Sequence, residues 1–226
     1  MSDYFSKVPD LEYVSRLPDA KISDYITVKN LFKKGTLRED IFQNLALFTK
    51  YQIKGEDRPD NVAFDFYGNE KLDWLVLQCN NIINIYTEWP LPQRDFDRYL
   101  LDKYETYDNL YNGIHHYETV EVKNSQGVVM LEKEKQVPSD FSITYYDSAL
   151  GQHASSLITE SNITVAVTNY DYEEKIENDK RNIFLLKKRY LNIVKDDMDE
   201  IMPYKKGSTQ YVSKTLKRGE NIRLYQ

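Results

Sequence analysis

The sequence holds a single cysteine, Cys79, so no disulfide can form within the chain. A lone thiol suits a reducing compartment, and the same scarcity makes a structural zinc site an unlooked-for feature. Histidine is nearly as rare: His115 and His116 are adjacent, and His153 stands apart. Successive side chains of a strand point to opposite faces, so the adjacent pair is not expected to share a metal ion. No run approaches the ~18 consecutive apolar residues of a membrane helix. Residues 1–10, MSDYFSKVPD, lack the basic and apolar regions of a signal peptide. These absences lead to the expectation of a soluble chain made and used in cytoplasm, with no membrane partner. A net charge of −6 lacks the positive excess of a nucleic-acid binder, so none is expected as partner.

What is present supports a folded core. The chain has 226 residues, enough for one large domain or two small ones, and 41% of them are apolar. Tyrosine is abundant, with 19 copies against 8 glycines and 7 prolines. Its rigid ring with a polar tip suits half-buried contacts between subunits as well as ordinary cores. Catalytic patterns are missing: there is no G-x-S-x-G, P-loop or H-E-x-x-H, and Cys79 and Ser155-Ser156 sit in no nucleophile motif. Cys79 falls on an apolar helical stripe, where a cysteine acts as a small core residue. The pairs Glu173-Glu174 and Asp196-Asp197 are expected on a solvated helix face. No catalytic, cofactor-binding or metal-binding residue is therefore assigned, and neither an enzyme nor a cofactor is expected.

Along the chain, residues 1–36 are polar with Pro9 and Pro18 and no sustained period, which suggests an extended N-terminal arm. Residues 37–48 carry Ile41, Phe42, Leu45 and Phe48 at helical spacing, and FTKYQI at 48–53 alternates like a strand. Arg58-Pro59-Asp60 starts a helix and Gly68-Asn69 closes it, because proline fits a first turn and glycine a left-handed cap. A second helix is predicted from about Glu70 to Asn80, with Leu72, Leu75, Val76 and Cys79 on one face and Trp74 and Leu77 on the other. Trp89-Pro90-Leu91-Pro92 reads as a stiff turn before a helix from Asp95 to Tyr107. Residues 105–168 hold short strand-like runs, with Ser125-Gln126-Gly127 as a hairpin turn, and form a β-rich insertion. A long C-terminal helix is predicted over 169–203, with Ile176, Ile183, Leu186, Tyr190 and Ile193 as its apolar stripe and Pro203 as its stop. The tail, 204–226, carries six Lys or Arg and one acid, Glu220. Its apolar members, including Tyr211 and Leu216, favour docking on an acidic neighbour over a purely electrostatic contact with phosphate.

The segment 51–81, YQIKGEDRPDNVAFDFYGNEKLDWLVLQCNN, resembles a LysM module: strand, turn, helix opening near proline, "YGN" cap, and a helix with tryptophan and a terminal asparagine. More closely, it is similar to the gene-53-type baseplate wedge proteins of contractile-tailed phages. Tyr51, Ile53, Lys54, Gly55, Arg58, Pro59, Val62, Ala63, Tyr67, Gly68, Asn69, Leu72, Trp74 and Asn80 carry that likeness. Glu88-Trp89-Pro90 with Phe96 and Tyr99 extends it, and 170–202 resembles the family's C-terminal helix. The fold class implied is α+β: a LysM-like βαα(β) domain within 37–104, the antiparallel β region, the long helix and the terminal arms. No closing strand follows Asn81 at the usual LysM distance, so glycan binding is not expected.

The resemblance implies a multi-copy scaffold in the virion tail baseplate, assembled in host cytoplasm, whose partners are other wedge subunits and the sheath-initiating protein. Candidate interface residues are Trp89, Ile176, Ile183, Leu186, Tyr190, Ile193, Tyr211 and Leu216. The competing readings are a LysM-type glycan-binding module of a lytic or adhesive protein, and an enzyme of unrecognised class. Pull-down on insoluble peptidoglycan or chitin separates the first of these from a scaffold.

Overall fold

The computed structural model describes residues 3–155, 163–206 and 211–217. In chain order, α1 (Asp3–Lys7) leads into a hairpin of β1 (Asp10–Val14) and β2 (Tyr25–Lys29). Then follow α2 (Glu39–Phe42), β3 (Phe48–Gln52), α3 (Pro59–Tyr67), α4 (Asp73–Cys79) and α5 (Ile85–Glu88). Next come α6 (Gln93–Tyr104) and α7 (Tyr107–Tyr111), then seven short strands. The strands are β4 (Ile114–Thr119), β5 (Val122–Lys123), β6 (Val129–Leu131), β7 (Gln136–Val137), β8 (Thr144–Asp147), β9 (Gln152–Ser155) and β10 (Thr164–Thr168). The described chain closes with α8 (Asn169–Lys180), β11 (Asn182–Leu186) and α9 (Leu191–Ile201). The class is α+β.

Local chemistry sets these boundaries. Pro59 occupies the first position of α3, where its missing N–H costs no hydrogen bond. Gly68 ends the helix at φ 77°, and its N–H donates to the Phe64 carbonyl at 2.7 Å. Asn69 then accepts from the Lys71 N–H, opening a short 3-10 turn (Glu70–Leu72) that runs into α4. Asn44 and Asn84 cap their turns in the same way. The helix expected from Asp95 to Tyr107 instead stops at Tyr104, because Glu105 takes φ 62° and Thr106 caps a new helix, α7.

Two compact units result: residues 1–90 with 180–226, and residues 91–179. In the first, β3 and β11 pair antiparallel with Phe48 opposite Leu186 and Gln52 opposite Asn182. Val62, Ala63, Leu72, Leu75 and Val76 meet Ile183, Leu185 and Leu186 of β11 and Val194, Met198 and Met202 of the C-terminal region in one core. Gly35 allows the 30–36 segment to lie close to this region, since a Cβ there would sit 2.7 Å from the Met198 sulfur. In the second unit Phe96, Leu100 and Leu110 form a small core with Leu91, Tyr104 and Tyr170 against it. Its sheets are β10-β4-β7 and the hairpins β5-β6 and β8-β9. Buried Glu173 is satisfied there by Lys103 Nζ at 2.5 Å and Tyr104 Oη at 2.9 Å.

Three sequence expectations need correction. The long helix over 169–203 does not exist: α8 ends at Lys180, β11 intervenes, and α9 starts at Leu191. The 3-4 spacing of Ile183, Leu186 and Tyr190 therefore joins a strand to a 3-10 turn (Lys188–Tyr190). Between Asn81 and Ile114 the chain is helical and holds no strand, as expected; the strand that pairs with β3 is β11, about a hundred residues after Asn81. The N-terminal arm is folded back, with Val8 buried in the core and the Tyr4 ring 5.8 Å from that of Trp74. Lastly, His115 and His116 share a face. Val167 and Thr168 pair with His116 and Ile114, so His115 is the extra residue of a β-bulge, and the two Nδ1 atoms lie 2.9 Å apart.

Candidate functional site

The residues singled out in the 51–81 motif converge on one βααβ arrangement, β3-α3-α4-β11. Ile53 is buried, and Tyr51 sets its ring edge-on to Phe66 at 6.1 Å, which in turn meets Tyr67 at 4.9 Å. Pro59 is buried at the head of α3, and Gly68 and Asn69 form the α3–α4 corner. Trp74 is buried on α4. Asn80 acts as a substitute strand: its Oδ1 accepts from the Phe184 N–H at 2.7 Å and its Nδ2 donates to the Phe184 carbonyl at 2.9 Å. A second Nδ2 bond, 2.8 Å to the Val76 carbonyl, fixes the amide to its own helix.

The turn after β3 is held from two sides. Gly55 adopts φ 51°, and its carbonyl accepts from the Arg181 guanidinium at 2.6 Å. The Trp89 indole N–H donates to the Asp57 carbonyl at 3.0 Å. Burial pushes the Cys79 thiol up to about 12, so it stays protonated at neutral pH and behaves as a core group. Burial likewise raises the Tyr67 hydroxyl above its ordinary value.

The candidate interface residues are not brought together. Trp89, Ile183 and Leu186 are buried inside the chain's own first unit, so they are packing groups there rather than surface anchors. Tyr190 packs partly buried against the same core, with Arg189 over its ring at 4.7 Å. Ile176 on α8, Ile193 on α9 and Leu216 remain exposed, on separate elements. Tyr211 bridges to Lys217, whose ammonium lies 4.1 Å from the Tyr211 ring centre. Tyr204, at the start of the basic tail, accepts from the Asn30 amide at 2.6 Å. The tail's Ile222 and Leu224, and Ser156 of the serine pair, lie outside the described residues.

Sequence reasoning missed an open groove in the first unit, lined by α1, the 31–42 segment, α4 and the 81–85 segment. Its apolar members come in twos and threes from four separate stretches of the chain, so no single local period reveals them. Among the described residues no group of three or more His, Cys, Asp or Glu side chains is placed to hold a metal ion. No helix among them is long and apolar enough to cross a membrane.

These features define a class first: an α+β structural module whose motif side chains cap helices, clasp strands and fill a core. The family is then given by comparison. Residues 4–203 match the family described as "Base plate wedge protein 53", and the chain belongs to that family. A relative in Enterobacteria phage T4, "Baseplate wedge protein gp53", is 33% identical over 76 residues, covering 29% of this chain. The aligned part spans 39% of that protein's length.

Proposed function

We propose that this chain is a structural subunit of a phage tail baseplate wedge that joins neighbouring wedge subunits around the tail hub during assembly. The observation that carries this reading is the family match over residues 4–203, nearly the whole described chain. Exposed Ile176, Ile193 and Leu216 fit it, because separated apolar anchors suit contacts with several neighbours in a multi-copy assembly. Assembly in host cytoplasm, with the sheath-initiating protein among the partners, belongs to the same reading. The test is co-expression with the other wedge proteins of the same phage. A stable complex on size exclusion is expected, and separate elution of this chain would refute the role.

The β3-α3-α4-β11 unit is, on this reading, a LysM-like domain recruited for protein contacts. On this reading β11 serves as its closing strand, which removes the sequence-based ground for doubting glycan binding and keeps the glycan-binding reading in view. A different ground replaces it. The β3–α3 turn is engaged by Arg181 and Trp89 of the chain itself, which leaves fewer of its carbonyls for a sugar. Calorimetric titration with chitin or peptidoglycan fragments is expected to show no heat of binding, and saturable binding would favour the glycan module instead.

A further inference from the structure

The bulge in β4 turns together two side chains that an unbroken strand would hold on opposite faces. His115 is its extra residue, so it joins His116 and Glu118 on the face toward Tyr172 and Lys175 of α8. The His115 ring stacks on Tyr172, with centroids 3.8 Å apart and planes at 11°. The His116 ring stands edge-on to the same tyrosine at 5.8 Å. Both imidazoles are thus held against one aromatic ring, and their Nδ1 atoms lie 2.9 Å apart. Bulges are over-represented beside functional sites because they re-aim a side chain in this way.

Glu118 fixes the proton on His116. Its carboxylate lies 3.2 Å from Nε2 and can only accept, so in the neutral ring Nε2 carries the hydrogen and Nδ1 presents a lone pair. Metal-binding histidines are oriented like this, with the far nitrogen donating to a carboxylate. Two carboxylates, Glu118 and Glu134, face two ammoniums, Lys175 and Lys133, so no excess of positive charge repels a cation. The spacing of the pair selects the ion. Two nitrogens 2.9 Å apart, each ~2.05 Å from one ion, subtend about 90° at it. That is the cis angle of tetragonal coordination, which suits Ni(II) and Cu(II), and not the wider tetrahedral angle of Zn(II).

We propose that His115 and His116 form a two-histidine site for a divalent metal ion of tetragonal preference, Ni(II) or Cu(II), bound through both Nδ1 atoms. The ion takes the place of the hydrogen that lies between the two nitrogens. With the His116 lone pair as acceptor, that hydrogen belongs to His115 Nδ1. It leaves to solvent as His115 Nε2 takes one up, so both rings stay neutral and no net proton is released. Glu118 is a positioning residue that keeps the His116 lone pair turned to the ion. Among the described residues no set of three His, Cys, Asp or Glu ligands is formed, so water fills the remaining positions in the isolated chain. All of these residues lie in the 91–179 unit, and the site stands whether or not the chain joins a wedge.

The test is calorimetric titration of the full-length chain, free of any histidine tag, with Ni(II) chloride and separately with Zn(II) chloride. One Ni(II) per chain is expected, with Zn(II) bound at least tenfold more weakly. Ni(II) affinity should fall tenfold or more in His115→Gln and in His116→Gln, and hold in His153→Gln, whose histidine lies on β9. Glu118→Gln keeps both ligands and loses the carboxylate, so it should weaken Ni(II) by about ten- to a hundredfold while melting as wild type does. In the wild-type chain, paramagnetic Ni(II) should broaden the resonances of His115, His116 and Tyr172 and leave those of His153 sharp. Should His116→Gln melt at a lower temperature, the exposed His115 variant and the wild-type broadening decide the matter. No Ni(II) binding, binding that survives His115→Gln, or broadening centred elsewhere overturns the site. Zn(II) bound as tightly as Ni(II) overturns the assigned class of ion.

Discussion

At the scale of single residues, the motif side chains act through burial and hydrogen bonds that can be tested one at a time. Trp74 is 6% exposed within the main core, so Trp74→Ala should lower unfolding free energy by about 3–5 kcal/mol in denaturant titration. Asn80 has a subtler task, because its amide takes the place of a strand along the outer edge of β11. Asn80→Ala should cost about 1–3 kcal/mol and speed hydrogen exchange at Phe184. Asn80→Asp keeps the acceptor and loses the donor, so the Phe184 amide should stay protected in that variant. Lys33 offers a pH signature. It is 9% exposed, and burial pushes its ammonium down to about 8. Below that pH both folded and unfolded chains carry the proton, and the burial penalty is fully present. From about pH 8 toward the ordinary lysine value of ~10.4, the unfolded chain holds more protons at this site, so the Lys33 contribution to stability rises with pH, while the buried Cys79 thiol and Tyr67 hydroxyl act in the opposite sense above their ordinary values. Lys33→Met removes this titration together with the ammonium's contact to the Tyr204 ring, 4.3 Å from its centre, so its stability relative to wild type should fall as pH rises through that window, as measured by denaturant titration at several pH values. The hydroxyls of Tyr4 and Tyr204 are raised by burial and act oppositely only near and above their ordinary value.

At the scale of elements, what was legible in the sequence is what local chemistry writes down. Pro59 and Gly68 announce both ends of α3, and the stripe of Leu72, Leu75, Val76 and Cys79 announces α4, because cap and period act within a few residues. The pairing of β3 with β11 was not legible. Its strands are more than a hundred residues apart, and only burial of Ile183, Leu185 and Leu186 against α3 and α4 decides it. The same residues, read at helical spacing with Tyr190 and Ile193, imitate a helix stripe because a five-residue strand is too short to reject that period. The groove was equally hidden, since Phe5, Leu31, Phe42 and Ile83 are neighbours only after the chain has folded back. Two substitutions separate strand from helix. Leu185 is fully buried while Ile193 is 46% exposed, so Leu185→Lys should abolish cooperative unfolding. Ile193→Asp should change stability by no more than about 0.5 kcal/mol. A continuous amphipathic helix would make Ile193, and not Leu185, the sensitive position.

At the scale of the whole molecule, the sequence order β3-α3-α4, then residues 91–179, then β11 describes an insertion into a small module. Each unit's own contacts show how its ends are managed. In the first unit, Trp89 just before the insertion bonds to the Asp57 carbonyl, and Arg181 just after it bonds to the Gly55 carbonyl. Both flanks are thus tied to the same four-residue turn. In the second unit, the Leu91 N–H donates to the Glu177 carboxylate, so its first and last turns are also tied together. An insertion whose ends meet can be exchanged for a short connection with little loop-closure cost. A flexible linker of n residues reaches about 5–6 Å × √n, so a few glycines and serines should bridge Pro90 to Lys180. The shortened chain keeps every buried residue of the larger core, from Val8 to Met202. It should unfold in one cooperative transition and retain protection at Phe184. Loss of that transition would mean that the inserted unit stabilises the first, and that closure of β3 by β11 does not stand without it.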